Sequence, residues 1–319
     1  MTGTFWAAAT ELNTSLSTVS DHLGALEALV GERLVERSRG RRTVELTDAG
    51  RLLLGHAEAI ESRLRAAEAD FRAYAAGVSG GLRIGIYQSV ATKVLPEVLR
   101  RFATRWPEVE VQATEETNDI ALVEAVERGA LDLSFAIAPI PDGPFAVREL
   151  MRDAHVLVVA AGAAKAWRRP HVRDLDGAPM VAFQLGRHQV LTEEFLAGLG
   201  VRPRVVFRSN DNGTLQAMVA AGLGVALSPL LAVDENDPKV RVLPLVEPVP
   251  DRVLLVAWHR DRYRQPAAAA FVETAVTVAA EVQRAHDAFM AKVSRSQTRA
   301  RGRRPHPPAN RPGRSRGDG

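Results

Sequence analysis

Cysteine is missing from all 319 residues of the chain, so disulfides and thiolate metal sites are excluded. Long apolar runs are missing as well, since none approaches the roughly 20 residues that cross a bilayer. The first residues also lack the basic-then-apolar order of a secretory signal. These absences predict a cytoplasmic protein without membrane contact.

Enzyme signatures are scarce too. The stretches GLRIGI and AAGLGVALSP contain glycines, but neither completes a dinucleotide or phosphate loop. The eight histidines show no metal-ligand spacing, and no nucleophile elbow or paired-carboxylate motif is present. We therefore expect no catalytic residues, no metal and no cofactor. An enzyme with an unusual arrangement of catalytic residues is kept as an alternative.

The composition that is present is that of globular domains. Hydrophobic residues make up 46% and charged residues 25%, and 319 residues are enough for two or three domains with cores of their own. The net charge of +3 is uneven, because Ser294 to Gly319 holds eight Arg and one Asp. A segment with so little to bury predicts a disordered tail over 293–319, which either attracts nucleic acid or has no specific role.

The stretch ELNTSLSTVSDHLGALEALV near the start predicts the second half of a helix-turn-helix. Ser15 is a suitable N-cap for a helix that runs to about Leu29. Four apolar residues recur at helical spacing and should face inward: Leu16, Val19, Leu23 and Leu26. Polar residues near the start of the helix should face the base edges of a major groove: Ser17, Thr18, Asp21 and His22. An ordinary helical hairpin is the alternative.

A basic hairpin is predicted after this helix. Leu34-Val35 and Val44-Glu45-Leu46 have the pattern of short strands around a tip that includes Arg39, Arg41 and Arg42. Beside a recognition helix, such a tip suits a wing that holds phosphates or enters a minor groove. On its own it would be a solvated turn.

A long helix is predicted to start after Thr47, a suitable N-cap with Asp48 in the first turn. Apolar residues along it alternate steps of four and three: Leu53, Ala57, Ile60, Leu64, Ala67, Phe71 and Tyr74. This is the pattern of a seam between two helices, although a core-facing helix gives a similar stripe. We expect a dimerising rod that ends at the linker GVSGG.

From Leu82 onward, strand-like runs alternate with helical stretches, which predicts a mostly parallel sheet and enough chain for two lobes. The runs are LRIGI (82–86), VEVQA (109–113), LDLSFAI (131–137), VLVVAA (156–161), MVAF (180–183), RVVF (204–207), GVALS (224–228) and VLLVAW (253–258). A last helix is expected from Pro266 to about Val293.

Polar residues at the ends of these strands are candidate ligand contacts, because open α/β sheets bind ligands outside the carboxyl ends of their strands. The candidates for holding a small organic anion are Ser89, Thr92, Thr117, Gln184, Arg187, Ser209 and Asn210. Each could instead be only a helix cap or a solvated side chain. Several of them converging on one cleft would indicate a binding site.

The order of these parts resembles the LysR-type transcriptional regulators over residues 3 to about 290. The resemblance is carried first by the segment from GTFWAAATEL to LTDAG, which includes LVER. It is carried further by LRIGI, LPEVLRRFATRWPEVEVQ, GALDLSFAI and MVAAGLGVALSP. The resemblance implies an α+β multidomain chain: a winged helix-turn-helix head, a long linker helix and a two-lobed α/β effector domain like the periplasmic binding proteins. The corresponding ranges are 1–47 for the head, 48–80 for the linker, 81–155 with 264–292 for lobe I, and 156–263 for lobe II. Double-stranded DNA, a small-molecule effector and further copies in a homodimer or homotetramer are the implied partners.

Three features depart from the family pattern. An apolar helix normally precedes the Gly3-Thr4-Phe5 position, so we expect that the start codon is assigned too late; the alternative is a real truncation, which would expose the core of the DNA-binding head. Asp21 stands where the family often has a basic or neutral polar residue, and Gly24 replaces the usual Arg or Lys, so neither the affinity nor the base preference of the family is carried over. The leading hypothesis is a sequence-specific DNA-binding regulator modulated by an effector. The alternative is a small-molecule sensing protein whose DNA-binding head does not function.

Overall fold

The computed structural model describes residues 4–36, 44–76, 81–184 and 186–299. The chain divides into two compact units: Met1–Arg72 with Arg128–Ala130, and Ala73–Glu127 with Leu131–Gly319. They are called the N-terminal unit and the C-terminal unit below. The expected α+β multidomain class is confirmed.

The N-terminal unit contains a helix-turn-helix, in which a short turn joins α1 (Phe5–Glu11) to α2 (Leu16–Val30). As predicted, α2 starts at Ser15, whose hydroxyl accepts a hydrogen bond from the backbone N–H of Thr18 at 3.1 Å. This bond satisfies one of the donors that a helix start leaves free. The helix ends at Gly31, which has the left-handed φ of 80° that favours glycine.

Few apolar side chains of the N-terminal unit are buried. Among its described side chains the buried apolar ones are Ala9, Leu34 and Val35. The predicted inward stripe of α2 is only partly sheltered, because Val19 and Leu23 are half-buried. The prediction is wrong for Leu16 and Leu26, which are 52% and 40% exposed because no described element packs over them.

The predicted hairpin follows α2. β1 (Val35–Glu36) pairs antiparallel with β2 (Glu45–Leu46). The first strand lies one residue later than the sequence suggested. The tip with Arg39, Arg41 and Arg42 lies outside the described residues, so its predicted role stays a prediction.

Thr47 caps α3 (Asp48–Ala76), as predicted. Its hydroxyl accepts from Gly50 N at 3.0 Å and donates to the carbonyl oxygen of Arg33 at 2.6 Å. Gly50 is required here because a Cβ at this position would lie 2.0 Å from the carbonyl oxygen of Leu34. The LTDAG stretch thus fixes the start of the long helix against the hairpin.

The predicted seam of α3 is largely exposed in the single chain. Ile60, Leu64 and Phe71 are 71%, 61% and 75% exposed. Leu53 is half-buried, while Ala57 and Ala67 are exposed. The side chain of Tyr74 lies outside the described set. A stripe of large apolar side chains left open in this way suits contact with another helix.

The C-terminal unit is built from strands and helices that mostly alternate. In chain order they are β3 (Gly81–Ile86), α4 (Gln88–Lys93), α5 (Leu95–Arg105), β4 (Glu110–Glu115), α6 (Asp119–Glu127), β5 (Leu133–Ile137), β6 (Phe145–Asp153), β7 (His155–Ala160), β8 (Pro179–Ala182), α7 (Arg187–Gly198), β9 (Arg204–Arg208), α8 (Asn212–Ala220), β10 (Ala226–Pro229), β11 (Val240–Leu243), β12 (Arg252–His259) and α9 (Pro266–Arg299). Short 3-10 turns occupy Ala161–Ala163, Val172–Leu175 and Leu230–Ala232.

Lobe I is formed around a five-stranded sheet in the order β4-β3-β5-β12-β6. Phe102 of α5 and Phe271 of α9 pack on one face of the sheet. Leu122 of α6 belongs to a second core cluster with Ala136 of β5. Every residue of β5 is buried, because the sheet is covered on both faces.

Lobe II contains a three-stranded sheet, β10-β7-β11, and the pair β8-β9. Successive residues of β7 point to opposite faces and so serve two cores. Leu157 and Val159 belong to one cluster, and Val156 and Val158 belong to the other. This explains why a run as apolar as VLVVA forms the middle strand of this sheet.

The sequence-based expectations need two corrections in this unit. The sheets are not mostly parallel: β12 runs antiparallel to β5 and β6, and β7 runs antiparallel to both of its neighbours. In addition, β12 belongs to the sheet of lobe I, so lobe II ends before Arg252 and not at residue 263. An apolar run such as VLLVAW reveals a strand but not the sheet that the strand joins. The chain first passes from lobe I to lobe II at Ala154, between β6 and β7, which lies beside the boundary at residue 155 that the sequence predicts.

The last helix is longer than predicted and packs against both lobes. α9 extends to Arg299, so residues 294–299 are helical and not part of a disordered tail. Phe271 contributes to the core of lobe I, whereas Phe289 and Met290 pack against the core of lobe II. The assignment of 264–292 to lobe I alone is therefore wrong for the end of the helix.

Candidate functional site

A cavity of about 290 Å³ lies where the two lobes meet within the C-terminal unit. The lobe I wall is the edge of the sheet at which β3, β4 and β5 end and the antiparallel β12 begins. The lobe II wall comes from the start of α7 and the segment before α8. Its lining residues are Tyr87, Gln88, Ser89, Glu115, Glu116, Thr117, Ile137, Phe183, Gln184, Gly186, Arg187, His188, Gln189, Asn210, Asp211, Asn212, Pro229 and Arg252.

One lining residue of this cavity, Arg252, belongs to a buried ion pair. The guanidinium of Arg252 donates to Oδ2 of Asp153 from Nη2 at 2.6 Å and from Nε at 3.2 Å. The same Nη2 donates to Oγ of Ser89 at 3.0 Å, while Oδ1 of Asp153 accepts from Leu231 N at 2.9 Å. Arg252 is 6% exposed and Asp153 is fully buried. Each charge is thus compensated, as burial of charged groups requires.

Arg252 also retains a donor. It lines the cavity, and among the described residues its Nη1 has no hydrogen-bond partner. Its guanidinium lies 5.5 Å from the centre of the Tyr87 ring, which holds its plane from one side. A rigidly held guanidinium with a free donor in a cavity is suited to accept a carboxylate.

Two stacked histidines lie beside the ion pair. The rings of His155 and His188 are 5.3 Å apart at an interplanar angle of 17°. Burial, and then the charge of Arg252, lowers the pKa of His155 to about 4. Burial, and then the nearby His155 ring and arginine charges, lowers the pKa of His188 to about 3. Both rings are therefore neutral at neutral pH, and Nε2 of His188 is buried without a partner among the described residues.

The start of α7 opens onto the cavity from lobe II. Its N-cap, Gly186, has no side chain that could cap the helix. Arg187 reaches across to lobe I, where its Nη2 donates to the carbonyl oxygen of Ile137 at 2.9 Å. Free N–H groups at a helix start favour a negatively charged ligand group.

Two further polar contacts join the lobes. Gln88 of lobe I donates to Oδ2 of Asp211 and accepts from Asn212 N, both at 2.7 Å. The hydrogen bond from Gln88 is the main reason that the pKa of Asp211 is lowered. Lys93 pairs with Glu235 of lobe II at 2.8 Å. A ligand in the cavity therefore contacts both lobes at a junction that polar contacts already hold together.

Most of the predicted ligand residues converge on the cavity. Five of them line it: Ser89, Thr117, Gln184, Arg187 and Asn210. Thr92 lies instead in a neighbouring cavity of about 770 Å³, and its hydroxyl donates to the carbonyl oxygen of Gln88. Ser209 lines neither cavity, because its hydroxyl accepts from Asp211 N at 3.1 Å and so stabilises the turn before α8.

Three residues of the site are not predicted from the sequence: Arg252, Asp153 and His188. Arg252 is the first residue of β12 and Asp153 the last residue of β6, and the antiparallel pairing of these two strands places them side by side. Since the sequence pattern assigns β12 to the other lobe, it cannot place the first residue of that strand at this edge. Gln88 directly follows a strand, which is the one signal that points to it.

The predicted DNA-reading residues lie on the exposed start of α2. Ser17, Asp21 and His22 are exposed and Thr18 is half-buried. The hydroxyls of Ser17 and Thr18 each lie 2.7 Å from Oγ of Ser15, so both belong to the capping group of the helix. Asp21 and His22 lie one turn further on, and their predicted contact with bases stays a prediction.

Other kinds of site are not found in the described part of the chain. It contains no cluster of three or more side chains suited to hold a metal ion. No described helix is both long and apolar enough to cross a membrane.

A helix-turn-helix with a hairpin, followed along the chain by a two-lobed α/β unit with a cavity, defines a ligand-responsive DNA-binding regulator. Comparison with protein families agrees. Residues 1–51 match the bacterial regulatory helix-turn-helix protein, lysR family, and residues 75–280 match the LysR substrate binding domain. The chain belongs to the LysR family of DNA-binding transcription regulators, with an effector-binding domain after the DNA-binding one.

Individual relatives show the extent of the similarity. The transcriptional regulator YcgK of Bacillus subtilis is 29% identical over 84% of this chain and 88% of its own length. A protein of Mycobacterium avium described as a probable hydrogen peroxide-inducible genes activator is 35% identical over 72% of this chain and 74% of its own. The solved structure of full-length CbnR with its target DNA covers 87% of this chain and 94% of its own at a TM-score of 0.54 and 24% identity. The last comparison supports the fold.

Proposed function

We propose that this regulator responds to a small organic anion held in the cavity between its lobes. The observation that carries the proposal is the buried Arg252, which lines the cavity together with Ser89 and the start of α7 and whose Nη1 has no hydrogen-bond partner among the described residues. An acid group there would accept charge-assisted hydrogen bonds from both lobes at once. A ligand that contacts both lobes favours the arrangement in which they are closed on it.

The proposed effector contacts are the lining residues Ser89, Thr117, Gln184, Arg187 and Asn210, with Arg252 and His188 in addition. Thr92 is not included, because it lies in the neighbouring cavity. Ser209 acts only by supporting the turn that presents Asn210 and Asp211.

Binding, and not catalysis, is the proposed role of this cavity. The hydroxyl of Ser89 is hydrogen-bonded to Arg252, not to a general base. The pKa of His188 is about 3, so its ring is too weak a base to activate a nucleophile at neutral pH. No cofactor is part of the proposal.

The resemblance to a protein named for peroxide induction does not extend to thiol chemistry. Reversible oxidation by peroxide uses a cysteine thiolate. The 319 residues contain no cysteine. We therefore propose that the signal here is a bound molecule and not oxidation of a thiol.

For DNA, we propose that Asp21 and His22 face the bases, with Ser17 and Thr18 at the helix start beside a phosphate. Arg39, Arg41 and Arg42 are proposed phosphate contacts on the strength of the sequence alone. The solved complex of CbnR with its target DNA supports a DNA role for this fold. The exposed stripe of α3, with Leu64 at its middle, is the proposed seam of a homodimer or of the dimers within a homotetramer.

The cavity assignment is tested with Ser89→Ala. We expect a panel of organic acids (acetate, succinate, benzoate and glutamate) to contain at least one that raises the melting temperature of the full chain. Ser89→Ala should weaken binding of that acid by about tenfold, because Arg252 loses the acceptor that orients it. Thr104→Ala is the matched control, since its hydroxyl bonds only within α5. Equal binding by Ser89→Ala and wild type would rule out the proposed site.

A further inference from the structure

The charges that line the cavity are divided between its two ends. Along the edge of the lobe I sheet the strand order is β4-β3-β5-β12. Glu115 and Glu116 lie at the end of β4, and Arg252 lies at the start of β12. Three strand intervals separate the two positions, which is about 14 Å between backbones at the usual spacing.

The acidic end holds carboxylates that are not neutralised. Glu115 and Glu116 line the cavity and are exposed, and their carboxylates have no hydrogen-bond or ion-pair partner among the described residues. Asp211 adds a third carboxylate from lobe II, although it is engaged as the cap of α8 and by Gln88. Three carboxylates therefore face the cavity from this side.

At the opposite end, both arginine side chains already have partners within the protein. Arg252 is compensated from behind by Asp153, and Arg187 donates to a carbonyl oxygen. The side chain of Arg252 is more than nine-tenths buried and lines the cavity, and its Nη1 has no hydrogen-bond partner among the described residues. The Arg252 guanidinium can bind one carboxylate of a ligand. A second ligand carboxylate is not favoured, because the cavity is lined by three protein carboxylates and only two guanidinium groups.

We propose that the effector is an elongated zwitterion, with a carboxylate at the Arg252 end and an ammonium group at the Glu115–Glu116 end. The proposal rests on the proposed function, because it assigns the ligand class of the same cavity. A cavity of about 290 Å³ suits a small metabolite. A dicarboxylate would bring its second negative charge against the glutamates and is disfavoured there.

The acidic and basic lining residues start from strands that lie three intervals apart in the sheet, although the Arg252 side chain extends back to Ser89, which follows β3. We therefore place the two charged groups of the ligand at opposite ends of a short chain. Apolar side chains such as Tyr87 and Ile137 line the middle of the sheet edge and suit a methylene spacer.

The test uses four probes of the same carbon number with the full chain: 5-aminopentanoate, pentanoate, glutarate and pentylamine. Binding is measured by calorimetry and by the shift in melting temperature. We expect 5-aminopentanoate to bind about tenfold more tightly than pentanoate or glutarate, with pentylamine weakest. The double variant Glu115→Gln, Glu116→Gln should lose that preference and bind glutarate better than wild type does. Glu110→Gln is the matched control, because this exposed glutamate lies on β4 outside the cavity lining.

The outcomes separate this proposal from the cavity assignment. If glutarate or pentanoate binds wild type at least as tightly as 5-aminopentanoate, and Ser89→Ala weakens it, the zwitterion proposal is wrong and the cavity remains the effector site. If the double variant keeps the preference for 5-aminopentanoate, the glutamates do not hold the amine. If none of the four probes binds at millimolar concentration, the zwitterion proposal is also overturned, while the organic-acid panel still decides the cavity assignment.

Discussion

The two units of this chain are stabilised in different ways. In the N-terminal unit the buried apolar side chains among the described residues are Ala9, Leu34 and Val35, while Trp6 and Leu29 are 72% and 83% exposed. Its helices are fixed by caps and by one close backbone approach. The C-terminal unit instead has four core clusters and a buried ion pair. Local contacts define the first unit and tertiary packing defines the second, so substitutions of different kinds should affect each.

The largest effect is expected at the buried ion pair. Asp153→Asn keeps the volume but removes the charge opposite Arg252, and breaking such a pair costs about 3–5 kcal/mol. The free energy of unfolding of the C-terminal unit should fall by that amount in denaturant titration. Asp251→Asn is the control, because this neighbouring carboxylate is exposed. A cost below about 1 kcal/mol would show that the pair is not sealed from water.

Gly50→Ala should disrupt the N-terminal unit selectively. The new Cβ would lie 2.0 Å from the carbonyl oxygen of Leu34, so α3 must move away from the hairpin. Overpacking of this kind costs about 1–3 kcal/mol, and DNA binding should be lost while the C-terminal unit melts unchanged. Gly55→Ala on the same helix has open space around its Cβ and should leave DNA binding intact. Equal DNA binding by the two variants would contradict the close approach.

A smaller effect on the free energy of unfolding is expected from lowering the pH. The pKa values of His155 and His188 fall on folding from 6.5 to about 4 and about 3. As pH drops below 6.5 the unfolded chain takes up these protons first, so the free energy of unfolding of the C-terminal unit decreases between pH 6.5 and about 4. The slope is at most about 1.4 kcal/mol per pH unit for each histidine. Denaturant titrations of wild type and of His188→Gln check this, and the variant should have the shallower slope. Identical slopes would mean that the His188 ring is hydrated.

Features that depend on a few neighbouring residues are predicted correctly from the sequence. Ser15 and Thr47 cap their helices as predicted, because an N-cap is decided by a hydroxyl and the backbone three residues on. The strand ends with Ser89 and Thr117 were placed for a similar reason, since a polar residue directly after an apolar run marks the edge of a sheet.

The rest depends on tertiary pairing. Arg252 reaches the cavity because β12 pairs with β5 and β6, and the sequence does not show that pairing. Its partner Asp153 also lies far from it in sequence. The inward stripe of α2 failed at Leu16 and Leu26 because periodicity shows which residues share a face, not whether anything packs on that face.

Occupation of the cavity in the C-terminal unit should change DNA binding by the N-terminal unit. The most direct measurement is the affinity of the full chain for the DNA upstream of its own gene, with and without a saturating acid from the panel, at constant ionic strength. We expect the acid to change the DNA affinity by some factor, and saturating DNA to change the affinity for the acid by the same factor, because the coupling is reciprocal. Ser89→Ala should bind the DNA as wild type does without the acid and respond only at higher acid concentration. A DNA affinity that stays constant while the acid saturates the cavity would contradict the account.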